Sequence, residues 1–349
     1  IDTPLSPWSA RIFAASSVPA ETDPGTGAVS ALTRPSPKTL KLTLDLDREM
    51  KVSIAGANVY RLEDMSVSID GGPAFPSKPN TFIEHLKESG ALKAAHVKFA
   101  DGFGIPQRLS VNYPIKGSYH FEFTVDQGDA KELFASRGSA GDAFKVLLLR
   151  DRMGIMGEHG IFVNRRELPE GDFKPLRVYD QNNIAADVTG FLKGGLNTID
   201  INISATEDWH GVSDPLYLLG GFGVLKRNGE FVIAKPPAAA RPSARIVEGY
   251  PFYSGKFSFQ TELDAENPGA CEDFTIELPE KYRIYECVSL TLNGHDLGVR
   301  SFSPYIWQGK AALLKKGGNR LNLSIANTLG NMLEGCYYDY DEKKTVFIR

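Results

Sequence analysis

The chain has 349 residues, 39 Lys and Arg against 43 Asp and Glu, a net charge of −4, 42% hydrophobic and 23% charged residues. That length suits two or three globular domains, and the composition is that of an ordinary folded protein. No basic stripe or tail matches a nucleic-acid backbone, and no apolar run approaches the roughly 20 residues of a membrane-spanning helix, so neither nucleic acid nor membrane is expected as a partner.

Residues 1–39 are rich in Ser, Pro, Ala and Thr and predict an extended arm or linker, which Trp8, Ile12 and Phe13 could dock on a neighbour. No signal peptide is legible. The chain opens on Ile1 rather than Met, which suggests a removed leader or a piece of a longer polypeptide. From Lys41 the pattern changes. Leu42, Leu44 and Leu46 alternate with polar residues, as do Val52 and Ile54, then Val67 and Ile69, with turns at Gly56-Ala57-Asn58 and Asp70-Gly71-Gly72-Pro73. Phe82, Ile83 and Leu86 share a face and predict a short helix near residues 81–89. Strands and loops continue to about Ile233, giving a first domain over 40–233. Residues 234–244, dominated by Ala and Pro, read as a semi-rigid spacer. A second domain then covers 245–349.

The two domains repeat one another. Leu192-Lys193-Gly194-Gly195-Leu196-Asn197 followed by Ile199, Ile201 and Ile203 aligns without a gap on Leu314-Lys315-Lys316-Gly317-Gly318-Asn319 followed by Leu321, Leu323 and Ile325. The aliphatics at every second residue form one face of a strand, and the glycines and Asn suit the left-handed positions of a tight turn. Gly117-Ser118-Tyr119 through Phe123 matches Gly255-Lys256-Phe257 through Phe259. Ile161-Phe162-Val163-Asn164 matches Leu290-Thr291-Leu292-Asn293, and Asn293-Gly294 after an alternating strand is a hairpin signal. A period above 100 residues indicates duplicated domains rather than a solenoid. Many short strands and few helical patterns make both all-β sandwiches.

The chemistry is sparse. There is no zinc, phosphate-loop or nucleophile-elbow motif, and the six histidines are dispersed. Gly220-Gly221-Phe222-Gly223 lacks the rest of a dinucleotide fingerprint and reads as a turn between strands. Cys271, Cys287 and Cys336, an odd count in the second domain, are expected as buried apolar thiols. Glu158, Asp208 and Asp214 are the loop carboxylates that a glycosidase pair would need, but no pairing is readable and no catalytic residue is assigned.

Sugars stack their C–H faces on aromatic rings and hydrogen-bond through their hydroxyls, so loop aromatics beside polar groups are the better lead. Three segments carry that mixture: Asp208, Trp209 and His210 before Gly211; Arg300, Tyr305 and Trp307; and Tyr337 and Tyr338 before Asp339-Tyr340-Asp341. Each could equally be a ring packed in a core with its polar tip satisfied. No cofactor is expected. Asp339, Asp341 and Glu342 offer hard oxygens to a calcium ion, and an ordinary acidic turn is the plainer reading.

Leu290 to Arg300, with Asn293-Gly294, Gly298 and Arg300, resembles the NGxxxGxR signature of galactose-binding-like β-sandwich domains attached to glycoside hydrolases. Ser303-Pro304-Tyr305, Leu314 to Ile325 and Asn327 to Asn331 continue the likeness to bacterial α-L-rhamnosidase-like and β-galactosidase-like proteins. Val178 to Asn183, Asp187-Val188-Thr189 and Asp214 to Phe222 resemble the preceding sandwich of the same proteins. The resemblance spans about residues 40–349. It implies two jelly-roll sandwiches and a non-catalytic role, because in those proteins catalysis resides in a barrel of some 250 residues for which this chain has no room. It further implies that Asn293, Gly294 and Arg300 determine the fold rather than hold sugar. The expected partner is a carbohydrate or a catalytic domain of the same polypeptide. The alternatives are a purely structural scaffold for that barrel and an autonomous glycosidase. Compartment stays open between secreted or periplasmic and cytoplasmic in a bacterium.

Overall fold

The computed structural model describes residues 38–91, 111, 113–135 and 145–348. The arm expected over 1–39 lies outside the described residues except for its end, where Thr39 already begins a strand. The described chain is all-β, with strands gathered into sheets that enclose apolar cores and short helices at Phe82–Glu88, Gln127–Ala135 and Gly330–Leu333.

It divides into two units, and neither is continuous. The larger comprises 56–237, 246–254 and 329–348; the smaller comprises 38–55, 238–245 and 255–328. This differs from the expected boundaries at 40, 233 and 245. Strand Thr39–Thr43 pairs in parallel with Asp273–Glu277, and Met50–Ile54 pairs with Lys256–Ala265, so the first strands belong to the smaller unit. Alternation reports that a segment is a strand, not which strand it joins. The Ala/Pro segment is not a free spacer either. Ala239–Ala240 forms the edge strand beside Met50–Ile54, and Ala240 is buried. An edge is where prolines, which lack an N–H, are tolerated. The last 20 residues return to the larger unit: Met332 enters its core, and Arg61 donates to the Leu333 carbonyl at 3.1 Å.

Each unit is built on one four-strand frame. In the larger unit Arg166–Leu168, Glu158–Val163, Gly195–Ala205 and Ile115–Val125 lie side by side, with Met65–Ile69 on the outer edge of the last. In the smaller, His295–Arg300, Cys287–Leu292, Gly317–Ala326 and Lys256–Ala265 follow the same order, with Met50–Ile54 on the outer edge. The second sheet of each unit contains Leu147–Asp151 with Asn183–Asp187 in the larger, and Asp273–Glu277 with Ile306–Lys310 in the smaller. The ladder register corrects one sequence alignment. Val125 opposes Gly195 and Ala265 opposes Gly317, so Gly117 is equivalent to Phe257, two residues beyond Gly255. An even shift keeps every side chain on its face, which is why alternation alone conceals it.

The duplication extends to single hydrogen bonds. Asn197 and Asn319 are fully buried. Asn197 Nδ2 donates to the carbonyls of Lys193 and Gly195 at 2.8 and 2.9 Å, and Asn319 Nδ2 to those of Lys315 and Gly317 at 2.9 and 2.8 Å. Each side-chain oxygen accepts the N–H of its Lys, at 3.0 and 2.7 Å. Each also accepts from a hairpin asparagine, Asn164 or Asn293, at 2.8 Å in both units. Those hairpin residues have φ 50° and 51° and open two-residue turns that require φ > 0 twice. The second turn position is Gly294 in one unit but Arg165, at φ 66°, in the other.

Candidate functional site

The central sheet of the larger unit has one apolar and one polar face. In Ile115–Val125 the odd residues Tyr119, Phe121, Phe123 and Val125 are buried, and Lys116, Ser118, His120 and Glu122 point outward. In Gly195–Ala205 the isoleucines at 199, 201 and 203 are buried and Thr198, Asp200, Asn202 and Ser204 face out. The ladder aligns these residues in rungs. Ser68, Ser118, Asn202 and Gly160 form one, and Lys116, Ser204 and Glu158 the next. A groove of about 610 Å³ runs over them. Ser118 donates to Asn202 Oδ1 at 2.9 Å. Gly160 keeps the floor low, and a Cβ there would lie 3.2 Å from the Phe162 ring, which flanks it.

On the adjacent rung His120 bonds Asp200 Oδ1 at 2.6 Å and Glu122 Oε1 at 3.2 Å. Burial pulls the imidazole pKa down, but the two carboxylates outweigh it and hold it above the ordinary histidine value.

The loop after Gly195–Ala205 carries Asp208, Trp209 and His210. Helix Phe82–Glu88 fixes it. The Thr81 side chain does not cap that helix; instead the Asp208 and His210 carbonyls accept the N–H groups of Ile83 and Phe82. Asp208 Oδ1 accepts from the Tyr113 hydroxyl at 2.9 Å. His210 Nδ1 accepts the Thr206 N–H at 3.1 Å, which leaves the ring proton on Nε2. Gly157, at φ 102°, lets the imidazole close over it, since a Cβ there would lie 2.8 Å from Nδ1. Gly211 serves the same end: its Cβ would meet the Phe82 nitrogen at 3.0 Å, so the close approach it permits is to backbone. Trp209 stands outward, 53% exposed, edge-on to His210 at 6.1 Å between ring centroids. Gly157 leads directly into Glu158 and His159 of the groove, so loop and groove adjoin.

Of the other carboxylates, Glu158 is exposed at the groove. Asp214 is half-buried, and burial, then the neighbouring Asp151, pushes its pKa up. Asp151 Oδ1 accepts the Met153 N–H at 2.7 Å.

Of the other two aromatic segments, the one around Trp307 is packed into a core, and the one with Tyr337 and Tyr338 lies on a hairpin with Tyr338 exposed. Trp307 is fully buried, with Nε1 donating to the Gly298 carbonyl at 2.9 Å. Tyr305 is buried and donates to the Glu286 carbonyl at 2.8 Å; burial first, then the Glu286 charge, raises its pKa to about 12. Arg300 donates to the Ile306 and Val299 carbonyls at 2.8 and 2.9 Å, its guanidinium 5.8 Å from the Trp307 ring centre. Trp307 opposes Ile276 in the ladder, so strand parity turns it inward and Arg300 closes over it. Tyr337 and Tyr338 lie on the hairpin strand Cys336–Asp339, Tyr338 exposed and edge-on to Tyr340 at 5.0 Å. The Asp339 carboxylate accepts the N–H groups of Asp341 and Glu342 at 2.8 and 3.1 Å, and among the described residues no group of His, Cys, Asp or Glu is arranged to hold a metal.

The cysteines depart from expectation too. All three are free; Cys287 is exposed at a strand position facing outward, and Cys271 and Cys336 are half-buried, the latter in the larger unit.

No family model and no curated protein matches the chain. Solved structures similar to it include a β-D-mannosidase from Dictyoglomus thermophilum (11% identity, TM-score 0.34, 77% of this chain and 31% of that one). An exo-chitosanase from Amycolatopsis orientalis matches at 13% identity and TM-score 0.32, over 76% and 29%. A calcium-binding mutant of Bacteroides uniformis β-glucuronidase 2 matches at 12% and 0.29, over 83% and 31%. The chain thus spans about a third of the length of the structures it matches.

Proposed function

We propose that the chain is a non-catalytic, carbohydrate-binding accessory region of a glycoside-hydrolase-like protein, and that its larger unit holds the sugar. The observation that carries this reading is Trp209: a large ring more than half exposed on a loop pinned by a helix, between two hydrogen-bonding side chains. An exposed indole held at little entropic cost is suited to stacking on a pyranose face. Beside it, Lys116, Ser118, Glu158 and Asn202 supply donors and acceptors for hydroxyls along the groove. The smaller unit has a structural role in this reading, favoured by the burial of Trp307 and Tyr305 and the carbonyl-bound Arg300. Glycan-array binding and melting temperature of Trp209→Ala test the proposal. Lost glycan binding at unchanged melting temperature is expected. Retained binding, or a large fall in melting temperature, overturns it.

A further inference from the structure

Helix Phe82–Glu88 holds the Trp209 loop through two N–H groups, those of Phe82 and Ile83, which donate to the His210 and Asp208 carbonyls. Its inner face is Phe82, His85 and Leu86, at i, i+3 and i+4. Two of the three are apolar. The third is an imidazole, and it is completely buried.

The bonding of that ring is one-sided. Nε2 lies 2.9 Å from the Lys78 carbonyl. A carbonyl only accepts, so Nε2 carries the proton and Nδ1 is the bare nitrogen. Nδ1 is buried and has no hydrogen-bond partner among the described residues. The ring stands edge-on to Tyr119, with centroids 5.4 Å apart, and the Tyr119 hydroxyl is likewise buried without a partner. That hydroxyl lies against the loop: a Cβ on Gly211 would be 3.1 Å from it. His85, Tyr119 and Gly211 thus form one packed row from helix to loop.

A second proton can go only to Nδ1, which puts a charge in a buried site with no acceptor. The neighbouring groups do not compensate. On the helix, Glu84 is paired with Lys87, and Glu88 accepts from the Ser77 hydroxyl at 2.6 Å. Lys78 turns its ammonium to Glu63 at 2.9 Å. From the sheet the Tyr119 phenol faces the ring, and burial pushes its pKa up, so it stays neutral. From the loop, Asp208 accepts the Tyr113 hydroxyl and His210 Nδ1 accepts the Thr206 N–H. Burial accordingly pulls the His85 pKa down, against upward pulls from the Lys78 carbonyl, Glu88 and Glu84.

We propose, on the reading of Trp209 as the sugar platform, that His85 is an acid-operated latch on that site: when it takes up a proton, helix Phe82–Glu88 leaves the sheet and lets go of the loop that carries Trp209. Above about pH 6.5 the imidazole is neutral whether the helix is docked or free. Below it, the freed helix binds a proton that the docked helix refuses. Each pH unit then favours release by up to about tenfold, until the lower pKa of the docked ring is reached. A sugar held at neutral pH is given up in acid.

The test is hydrogen exchange of the full chain from about pH 7 to about pH 4.5. Protection of the Phe82 and Ile83 amides, corrected for intrinsic exchange, should fall by up to about tenfold per unit below about pH 6.5, while strand Gly195–Ala205 keeps its protection. His85→Gln retains a donor for the Lys78 carbonyl and cannot be charged, so its protection at the same two amides should be flat. Flat protection in the native protein overturns the inference. So does a slope that survives His85→Gln, which would place the titration elsewhere, as at His210. Equal loss throughout Gly195–Ala205 also overturns it, because that is unfolding and not release. If His85→Gln fails to fold, nuclear magnetic resonance of the native ring decides: a ring still neutral at about pH 6 supports the latch, and one mostly charged there overturns it. No sugar enters these readouts, so they succeed or fail apart from the Trp209 reading. Where Trp209→Ala removes glycan binding, native affinity should fall over the same window and that of His85→Gln should hold; an equal fall in both overturns the inference.

Discussion

The two sandwiches share a skeleton and differ in what they hang on it. Both bury an asparagine at the same turn, with the same bonds to a lysine, a glycine and a hairpin asparagine, at distances that agree within about 0.3 Å. Yet each places a tryptophan where the other does not. Trp307 closes the core of the smaller unit, and Trp209 stands in solvent on the larger. The duplicated part is therefore the braced turn, and the divergent part is what each unit does with its tryptophan.

The tryptophans give the largest contrast. Trp307→Ala should cost about 3–5 kcal/mol in chemical unfolding, because a fully buried ring leaves a cavity and orphans the Gly298 carbonyl. Trp209→Ala should stay within about 0.5 kcal/mol, as for surface substitutions generally. Comparable losses at the two sites would erase the distinction between core and platform.

Asn197→Ala and Asn319→Ala should be alike, each costing about 2–3 kcal/mol, since each strands the lysine and glycine carbonyls, a lysine N–H and the partner asparagine amide, with the Leu263 carbonyl, at 3.3 Å, added for Asn319. Hydrogen exchange on each variant should report opening of its own unit. If one substitution proved silent, the shared network would be a geometric coincidence.

The hairpins offer a finer test. Arg165 occupies a left-handed position that Gly294 fills in the other unit. A Cβ at Gly294 meets nothing within 4 Å, so backbone strain acts there without steric clash. Arg165→Gly should stabilise and Gly294→Ala destabilise, each by about 1 kcal/mol in denaturant midpoints. Opposite signs would mean that the turns differ in conformation.

The smallest effect concerns pH, and in the larger unit only. His120 is raised in the folded state, so its bonds to Asp200 and Glu122 favour folding fully below the unfolded value of about 6.5. That contribution is lost as pH rises through the higher folded value. Melting temperature measured across this window should fall more steeply in the native protein than in His120→Gln. Parallel curves would show that the imidazole is not held charged.

The repeat and its Asn turns were legible because they are local: six residues contain both the one left-handed glycine, Gly195 or Gly317, and the asparagine side chain that braces the turn, although the Asn itself is not left-handed. Helix Phe82–Glu88 was legible from three spaced apolar residues, two of which, Phe82 and Leu86, are buried. The domain boundaries were not, since Thr39 finds its partner at Asp273 and nothing near Thr39 encodes it. Nor was the burial of Trp307, which shares with Trp209 a segment of mixed aromatic and polar residues. Its fate is decided by strand parity against Ile276, a tertiary fact. The polar face of the larger unit was written in plain alternation at Lys116, Ser118, His120 and Glu122, but alternation was read for the buried half alone. A cavity in the larger unit gathers Tyr60, Phe231, Phe252 and Ile348 from four distant stretches, which no sequence window contains.

The interleaved units have a consequence for biosynthesis. Strand Met50–Ile54 leaves the ribosome before its partner Lys256–Ala265, which follows on the order of 200 residues later, about 10–40 s at 5–20 residues per second. During that interval a β-strand with buried-type residues Met50 and Val52 has no native neighbour to pair with. The larger unit closes later still, when Met332 emerges to fill its core. The nascent chain therefore carries an unpaired edge through that interval, the condition under which strands join the wrong partner. A chain cut between 234 and 244, the segment that reads most like a domain boundary, would leave each half holding strands that belong to the other.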